Sequence, residues 1–265
     1  QLDGARIHRR RPLVVHVEAG LRSGDPDMPE ELNRRATDAV SDLFFTTEPS
    51  ADDHLLREGV AAARIHRVGN TMIDSLRRAR ARPDCAAHDA QVLTRLGVAA
   101  GAYTVMTLHR PSNVDDAVRA RHLLTGVAEA TGAQPIVFPV HPRTRPQLAH
   151  AVPPAHANRF RLCEPLGHAD FTALLAHASL VCTDSGGVQE ETTALAVPCV
   201  TLRANTERPI TIAAGSNVLL GDDLARLPAA VAEAMARPRR DAPPLWDGHA
   251  SERIADILRA TLLAG

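Results

Sequence analysis

No apolar run in this 265-residue chain approaches the roughly 18 residues that a membrane-spanning helix needs, so no membrane partner is expected. Charge of one sign is lacking too. Thirty basic residues face 31 acidic ones, and the net charge of -1 leaves no electrostatic footprint for nucleic acid. The four cysteines, Cys85, Cys163, Cys182 and Cys199, have no zinc-ligand spacing, and three lie in apolar, strand-like runs. They read as buried free thiols of a protein in a reducing cytoplasm. The histidines are scattered without ligand spacing, so no metal is expected. Neither the dinucleotide fingerprint Gly-x-Gly-x-x-Gly nor a Walker loop occurs. Gly-x-Ser-x-Gly is absent, which removes the support for a hydrolase nucleophile elbow. No internal repeat of roughly 20–50 residues is visible.

What is present suits a packed enzyme-sized fold. Hydrophobic residues make up 45% of the chain, and its length allows one large or two modest domains. Strand-like runs alternate with helical segments, the pattern of parallel α/β construction. Strands are expected at 12–17, 43–47, 64–68, 103–108, 135–140, 160–163, 179–182, 198–202 and 217–220. Helices are expected at 29–41, 50–58, 73–82, 116–131, 169–177 and 250–263. Pro83 to His88 is the weakest-patterned stretch and the expected domain boundary. The expected division is therefore 1–84, 85–248, and a helix over 249–265 that packs back on the first domain. Gln1 is not an initiator methionine, and Gln1 to Arg11 looks like the tail of a helix entering a strand. Upstream sequence is expected to precede it.

The chain is organised around Thr183-Asp184-Ser185-Gly186-Gly187-Val188-Gln189-Glu190-Glu191. An apolar strand leads in and a helix leads out. Unpaired amides at a helix start, with the macrodipole behind them, favour an anion. Gly186 and Gly187 let a ligand approach the backbone, Ser185 adds a hydroxyl, and Glu191 lies one turn on, within reach of sugar hydroxyls. These residues read as a diphosphate seat beside a ribose acceptor; an ordinary capped strand-to-helix turn has the same composition.

Three more clusters follow strand ends, where open α/β sheets place ligands. Glu18, in His16-Val17-Glu18-Ala19-Gly20-Leu21-Arg22-Ser23, comes directly off a strand and suits general acid/base work; pairing with Arg22 is the alternative. Glu30 and Arg34 share a face at the start of a helix, which also suits a surface pair. His109 and Arg110 end a strand, and His109 suits protonation or stabilisation of a leaving phosphate as well as a structural role. His141 and Arg208 bring further cationic loops. Arg208 suits bidentate phosphate binding or simple solvation.

In their order along the chain, His16–Ser23, Pro29-Glu30-Glu31-Leu32-Asn33-Arg34, Thr107-Leu108-His109-Arg110, Thr183–Glu191 and Thr206-Glu207-Arg208-Pro209 resemble the non-hydrolysing UDP-N-acetylglucosamine 2-epimerases. The resemblance runs from about Pro12 to the C-terminal helix. It implies an α/β, GT-B-like fold of two Rossmann-type parallel-sheet domains, the first incomplete at its N-terminus, with the nucleotide sugar in the cleft. It implies UDP-N-acetylglucosamine as partner, a homodimer, and no cofactor. The reaction it implies is reversible epimerisation at C2, through elimination and re-addition of UDP.

The same resemblance makes Glu18 and Glu30 the acid/base glutamates and His109 the group that helps UDP depart. Arg34 matches the arginine after the glutamate pair, and Arg208 the cleft arginine. Ser185, Gly186 and Gly187 match the diphosphate turn, and Glu191 the ribose acceptor. Arg110 and His141 resemble residues that hold a second, regulatory substrate molecule in some members. Two departures bear on this. The family's Gly-Thr-Arg-Pro-Glu loop and His-Gly-Asp-Thr turn, whose aspartate is catalytic, have no counterpart here. Arg110-Pro111-Ser112-Asn113 stands where many members have Arg-Arg-Glu-Asn, and Pro111 removes a backbone donor. The alternatives are a catalytically silent UDP-sugar-binding remnant and a hydrolysing 2-epimerase that releases N-acetylmannosamine and UDP. A GT-B glycosyltransferase ranks last, having no evident use for Glu18 and Glu30 together.

Overall fold

Two parallel sheets carry the chain, one of three strands and one of six. The computed structural model describes residues 12–263, apart from 27, 143 and 239. The helix tail expected over Gln1 to Arg11 lies outside these residues.

In the first unit, β1 (Val15–Val17), α1 (Pro29–Val40), β2 (Leu43–Thr46), α2 (Pro49–Arg57), β3 (Ile65–Arg67) and α3 (Thr71–Arg80) alternate, and the strands pair in the order β1-β2-β3. Pro29 and Pro49 open their helices, where a missing amide costs nothing. Ala19, Phe44 and Leu55 make a small core between sheet and helix. Trp246, the single tryptophan, is buried and donates its indole N–H to Thr47 O at 3.1 Å.

The second unit is larger. It runs through α4 (Cys85–Leu96), β4 (Thr104–Thr107), α5 (Pro111–Val114), α6 (Ala117–Ala130), β5 (Ile136–Pro139), α7 (Arg145–Ala151), β6 (Phe160–Cys163) and α8 (His168–Ala176). It continues through β7 (Leu180–Thr183), α9 (Gly186–Ala194), β8 (Cys199–Thr201), α10 (Ile210–Ala213), β9 (Asn217–Leu219) and α11 (Leu227–Ala236). Its strands lie in the order β6-β5-β4-β7-β8-β9. Counted from β4 this is the 3-2-1-4-5-6 order of dinucleotide-binding sheets, with the reversal between β4 and β7.

The alternation of side chains along each strand splits the core in two. Met106, Phe138, Cys182, Val200 and Val218 face Leu123, Leu124 and Val127 of α6 and Leu227, Ala230 and Val231 of α11. Val105, Val137, Val181 and Cys199 face Leu93 of α4 and Leu174 and Leu175 of α8. Covered on both faces, these strands read as continuous apolar runs. Each fully buried Leu or Val contributes about 1.5–3 kcal/mol.

The chain passes from the first unit to the second at Arg78/Ala79; Glu207–Ile210 and Pro243–Gly265 belong to the first unit. The last helix, α12 (Ala250–Leu263), starts with its Ala250 and Ser251 amides held by Asp74 at 3.1 and 2.6 Å. That is where an acidic side chain favours a helix start. Among the described residues five helices, α4, α5, α7, α10 and α11, were not expected from sequence. Within α4, Asp89 is buried and accepts from Arg80 at 2.6 and 2.9 Å, with His177 Nε2 at 2.7 Å. A buried aspartate on the inward face breaks the apolar period that marks a helix. Pro146 in the first turn of α7 and the alanine-rich sequence of α11 hide those two in the same way.

Candidate functional site

The loops at the carboxyl ends of β4 and β7 meet at the reversal point of the larger sheet. Thr107 and Thr183, the last residues of the two strands, join hydroxyls at 2.6 Å. His109 follows two residues after Thr107, and Asp184 directly after Thr183. Asp184 is 0% exposed. Its carboxylate accepts the amides of His109 and Arg110 at 3.1 and 3.0 Å and Nδ2 of Asn113 at 3.1 Å. It also lies 2.6 Å from Nδ1 of His109. Burial pushes Asp184 up, but the bonds from His109, the Arg110 amide and Asn113 outweigh it and hold the carboxyl below its ordinary value. The same bond raises the His109 ring above the ordinary histidine value, against burial and the charges of Arg110 and Arg203. The His109 side chain stays 62% exposed, so its ring is open to solvent.

Beside it, α9 opens at Gly186 with Ser185 as its N-cap, and no side chain caps it. The capped-turn reading is therefore corrected: Asp184 turns to His109, and the Ser185 amide donates to Thr183 Oγ1 at 3.0 Å. First-turn amides have no acceptor within their own helix, and here no side chain supplies one. One turn further, Glu191 is buried, with His168 Nε2 at 3.5 Å from its carboxylate. Burial lifts the Glu191 carboxyl above its ordinary value, and His168 only partly offsets this. Arg110 is half-buried and His141 exposed. Pro111 is the first residue of α5, a position whose amide is not used by the helix.

The first unit holds the remaining expected residues. Glu18 is the first residue past β1 and is half-buried with φ 64°. A non-glycine in the left-handed region costs about 1–3 kcal/mol, and such strain clusters at functional sites. Gly20, at φ +78°, sits so close to α2 that a Cβ there would lie 2.4 Å from Ala51 O. Pairing of Glu18 with Arg22 is not observed. Arg22 instead binds Glu58 at 2.9 and 2.7 Å and Asp38 at 2.6 Å.

Glu30 is exposed on the first turn of α1, and Arg34 does not pair with it. Arg34 reaches Glu31 at 3.3 Å and Glu207 at 3.4 Å. Arg208 is buried, with NH1 2.5 Å from Glu207, which corrects the solvated reading. Glu31, Arg34, Glu207 and Arg208 therefore form one network that neither Glu18 nor Glu30 joins among the described residues.

Sequence reasoning gave no chemical role to Glu31, Glu48, Arg203 or Glu207, and to Asp184 only that of a helix cap. Glu31 is buried and accepts from the Ser23 and Gly24 amides at 2.9 and 3.3 Å. Burial pushes it up, yet those bonds bring its carboxyl below the ordinary value. Glu48, just past β2, is buried, and burial raises its carboxyl above the ordinary value despite Ser50 and Arg208. An acidic residue after an apolar run was the available signal at Asp184 and Glu48; His109, the partner of Asp184, lies 75 positions away in sequence. Among the described residues, no group of three or more His, Cys, Asp or Glu is placed to hold a metal ion. No helix among them is long and apolar enough to cross a membrane.

A sequence profile of the UDP-N-acetylglucosamine 2-epimerases matches residues 7–259. The UDP-N-acetylglucosamine 2-epimerase of Methanocaldococcus jannaschii is 40% identical over 267 residues, 97% of this chain and 72% of that protein. A UDP-2,3-diacetamido-2,3-dideoxy-D-glucuronate 2-epimerase of Pseudomonas aeruginosa is 37% identical over 255 residues, 92% of this chain and 67% of that protein. The crystal structure of the Methanocaldococcus jannaschii enzyme in complex with UDP-GlcNAc and UDP has a TM-score of 0.79 at 38% identity. That match covers 94% of this chain and 69% of the other. The two parallel-sheet units are thus the Rossmann-type domains of a GT-B-like fold. The chain belongs to the UDP-N-acetylglucosamine 2-epimerase family.

Proposed function

We propose that the protein interconverts UDP-N-acetylglucosamine and UDP-N-acetylmannosamine by eliminating UDP and adding it back. A base takes the C2 proton, and the C1–O bond breaks with its electron pair leaving on UDP. A C1=C2 double bond forms, giving a 2-acetamidoglucal. A proton then returns to C2 on the opposite face as UDP re-adds at C1. The observation that carries this reading is the His109–Asp184 pair beside an uncapped helix start at the reversal point of the larger sheet. A leaving diphosphate needs both a proton or charge donor and fixed dipoles.

In this reading Ser185, Gly186 and Gly187 hold the diphosphate, Glu191 takes the ribose, and His109 assists departure. Glu18 and Glu30 carry the acid/base work at C2, for which the strained backbone of Glu18 and its carboxylate without an ion pair speak. Arg34 and Arg208 bind substrate through the network they share with Glu207. Arg110 and His141 are assigned to a second, regulatory nucleotide sugar. A homodimer is part of the reading, on the resemblance alone, and sedimentation velocity measures it.

Incubation with UDP-N-acetylglucosamine in deuterium oxide tests the chemistry. The expected product is a mixture of both epimers carrying one deuterium at C2. Recovery of undeuterated substrate alone rejects epimerisation and leaves a silent binding protein. Free N-acetylmannosamine formed in step with UDP indicates hydrolysis instead. The 37% identity to the Pseudomonas aeruginosa enzyme supports a second reading, in which a diacetamido uronic acid replaces the glucosamine. Relative kcat/KM on the two nucleotide sugars separates them.

A further inference from the structure

We propose that Asp184 is a positioning residue, whose buried carboxylate holds the Nδ1–H of His109 and leaves Nε2 as the ring edge offered to a departing phosphate. The phosphate rests on the function proposed above, whereas the pairing stands on geometry. Asp184 lies one residue before Ser185, the N-cap of α9, and its carboxylate gathers the 109–113 loop rather than turning to the helix start, which no side chain caps. With the amides of His109 and Arg110 and the Asn113 amide all donating to it, this carboxylate is an ionised acceptor in fixed orientation. The only ring atom it can accept from at 2.6 Å is Nδ1. No hydrogen bond engages Nε2 among the described residues, and the side chain is largely exposed.

Three charged groups face the ring. Asp184 comes from the end of β7, Arg110 from the ring's own loop and Arg203 from the segment after β8. The direct bond to Asp184 outweighs burial and the two cations, and raises the ring above its ordinary value. A cationic donor at Nε2 suits the developing charge of a diphosphate. Its activity is then lost as pH rises through the raised value of the ring.

Nitrogen-15 chemical shifts of His109 in the substrate-free wild-type protein test the pairing without any substitution. Above its titration midpoint the neutral ring should be the Nδ1–H tautomer, opposite to the preference of free histidine. An Nε2–H tautomer overturns the proposal. In Asp184→Asn the midpoint should fall by about one pH unit or more, and an unchanged midpoint also overturns it. Where turnover is present, the basic limb of the Asp184→Asn kcat profile should move to lower pH by the same amount. A uniform loss of kcat with no shift of the limb would mean that Asp184 is merely structural. A wild-type protein without turnover would reject the proposed function, while the tautomer and midpoint would still decide the pairing.

Discussion

Asp184 and His109, 75 residues apart in sequence, are joined at 2.6 Å at the point where the strand order of the larger sheet reverses. The bond ties the end of β4 to the end of β7, so the loop bearing the histidine and the glycine turn are one assembly. Buried at 0% exposure, the carboxylate is not itself a contact for ligand. In the proposed reaction it fixes the group that is.

Replacing His109 with Asn removes the proton but keeps a side chain of similar size. The expected effect is a fall in kcat of about 10²–10⁴-fold, with KM changed by no more than a few-fold. Steady-state kinetics on UDP-N-acetylglucosamine measure both. An unchanged kcat would remove His109 from the chemistry.

Glu191 is buried, and burial holds its carboxyl above the ordinary range. A hydrogen bond from a ribose hydroxyl to this carboxylate is worth about 1.5–3 kcal/mol. Glu191→Gln should therefore weaken UDP by about 10–100-fold in calorimetry, with little effect on melting temperature. Equal affinity in the variant would reject the ribose contact.

Glu31 and Glu48 should give opposite pH dependences of stability. The folded-state value of Glu31 is depressed. Its stabilisation is full above the unfolded value of about 4.3 and is lost as pH falls through the folded value. Glu31→Gln should cost about 1–3 kcal/mol at pH 7, and the difference should shrink in acid. The folded-state value of Glu48 is raised. Its contribution is full below the unfolded value and lost as pH rises through the folded one, so Glu48→Gln should match wild type near pH 4 and melt no lower near pH 8. Trp246, buried in the same unit as both, reports the melts by fluorescence. Slopes of the same sign for the two variants would contradict the assignment.

Gly186→Ala separates folding from binding. In the first turn of α9 alanine is at least as favourable as glycine, so the melting temperature should not fall. A methyl group at a backbone that a diphosphate approaches should still weaken UDP, by an expected tenfold or more in calorimetry. Unaltered affinity would place the phosphates elsewhere.

Much of the fold was legible because strands buried on both faces and helices with caps leave local marks. The strands at β2, β6 and β9 and the helices α6 and α12 fall within a residue or two of their expected ranges. The α4 helix was hidden because it buries Asp89 against Arg80 and His177, a pairing that no local period records. The candidate site divides in the same way. The glycine turn and His109 are marked by their neighbours in sequence. The long-range partner of Arg34 is not, because Glu207 reaches it across 173 positions. Glu30 looked like a partner only because helical spacing places it four residues before Arg34, whereas the first turn of α1 turns Glu31 inward instead.

Titration of the nitrogen-15-labelled protein with UDP, followed by amide and imidazole resonances, tests the nucleotide seat most directly. The expected result is saturable shifts at Ser185, Gly186 and Gly187 together with the His109 ring. Shifts confined to other residues, with these four unmoved at saturation, would contradict a diphosphate seat at the β4–β7 reversal.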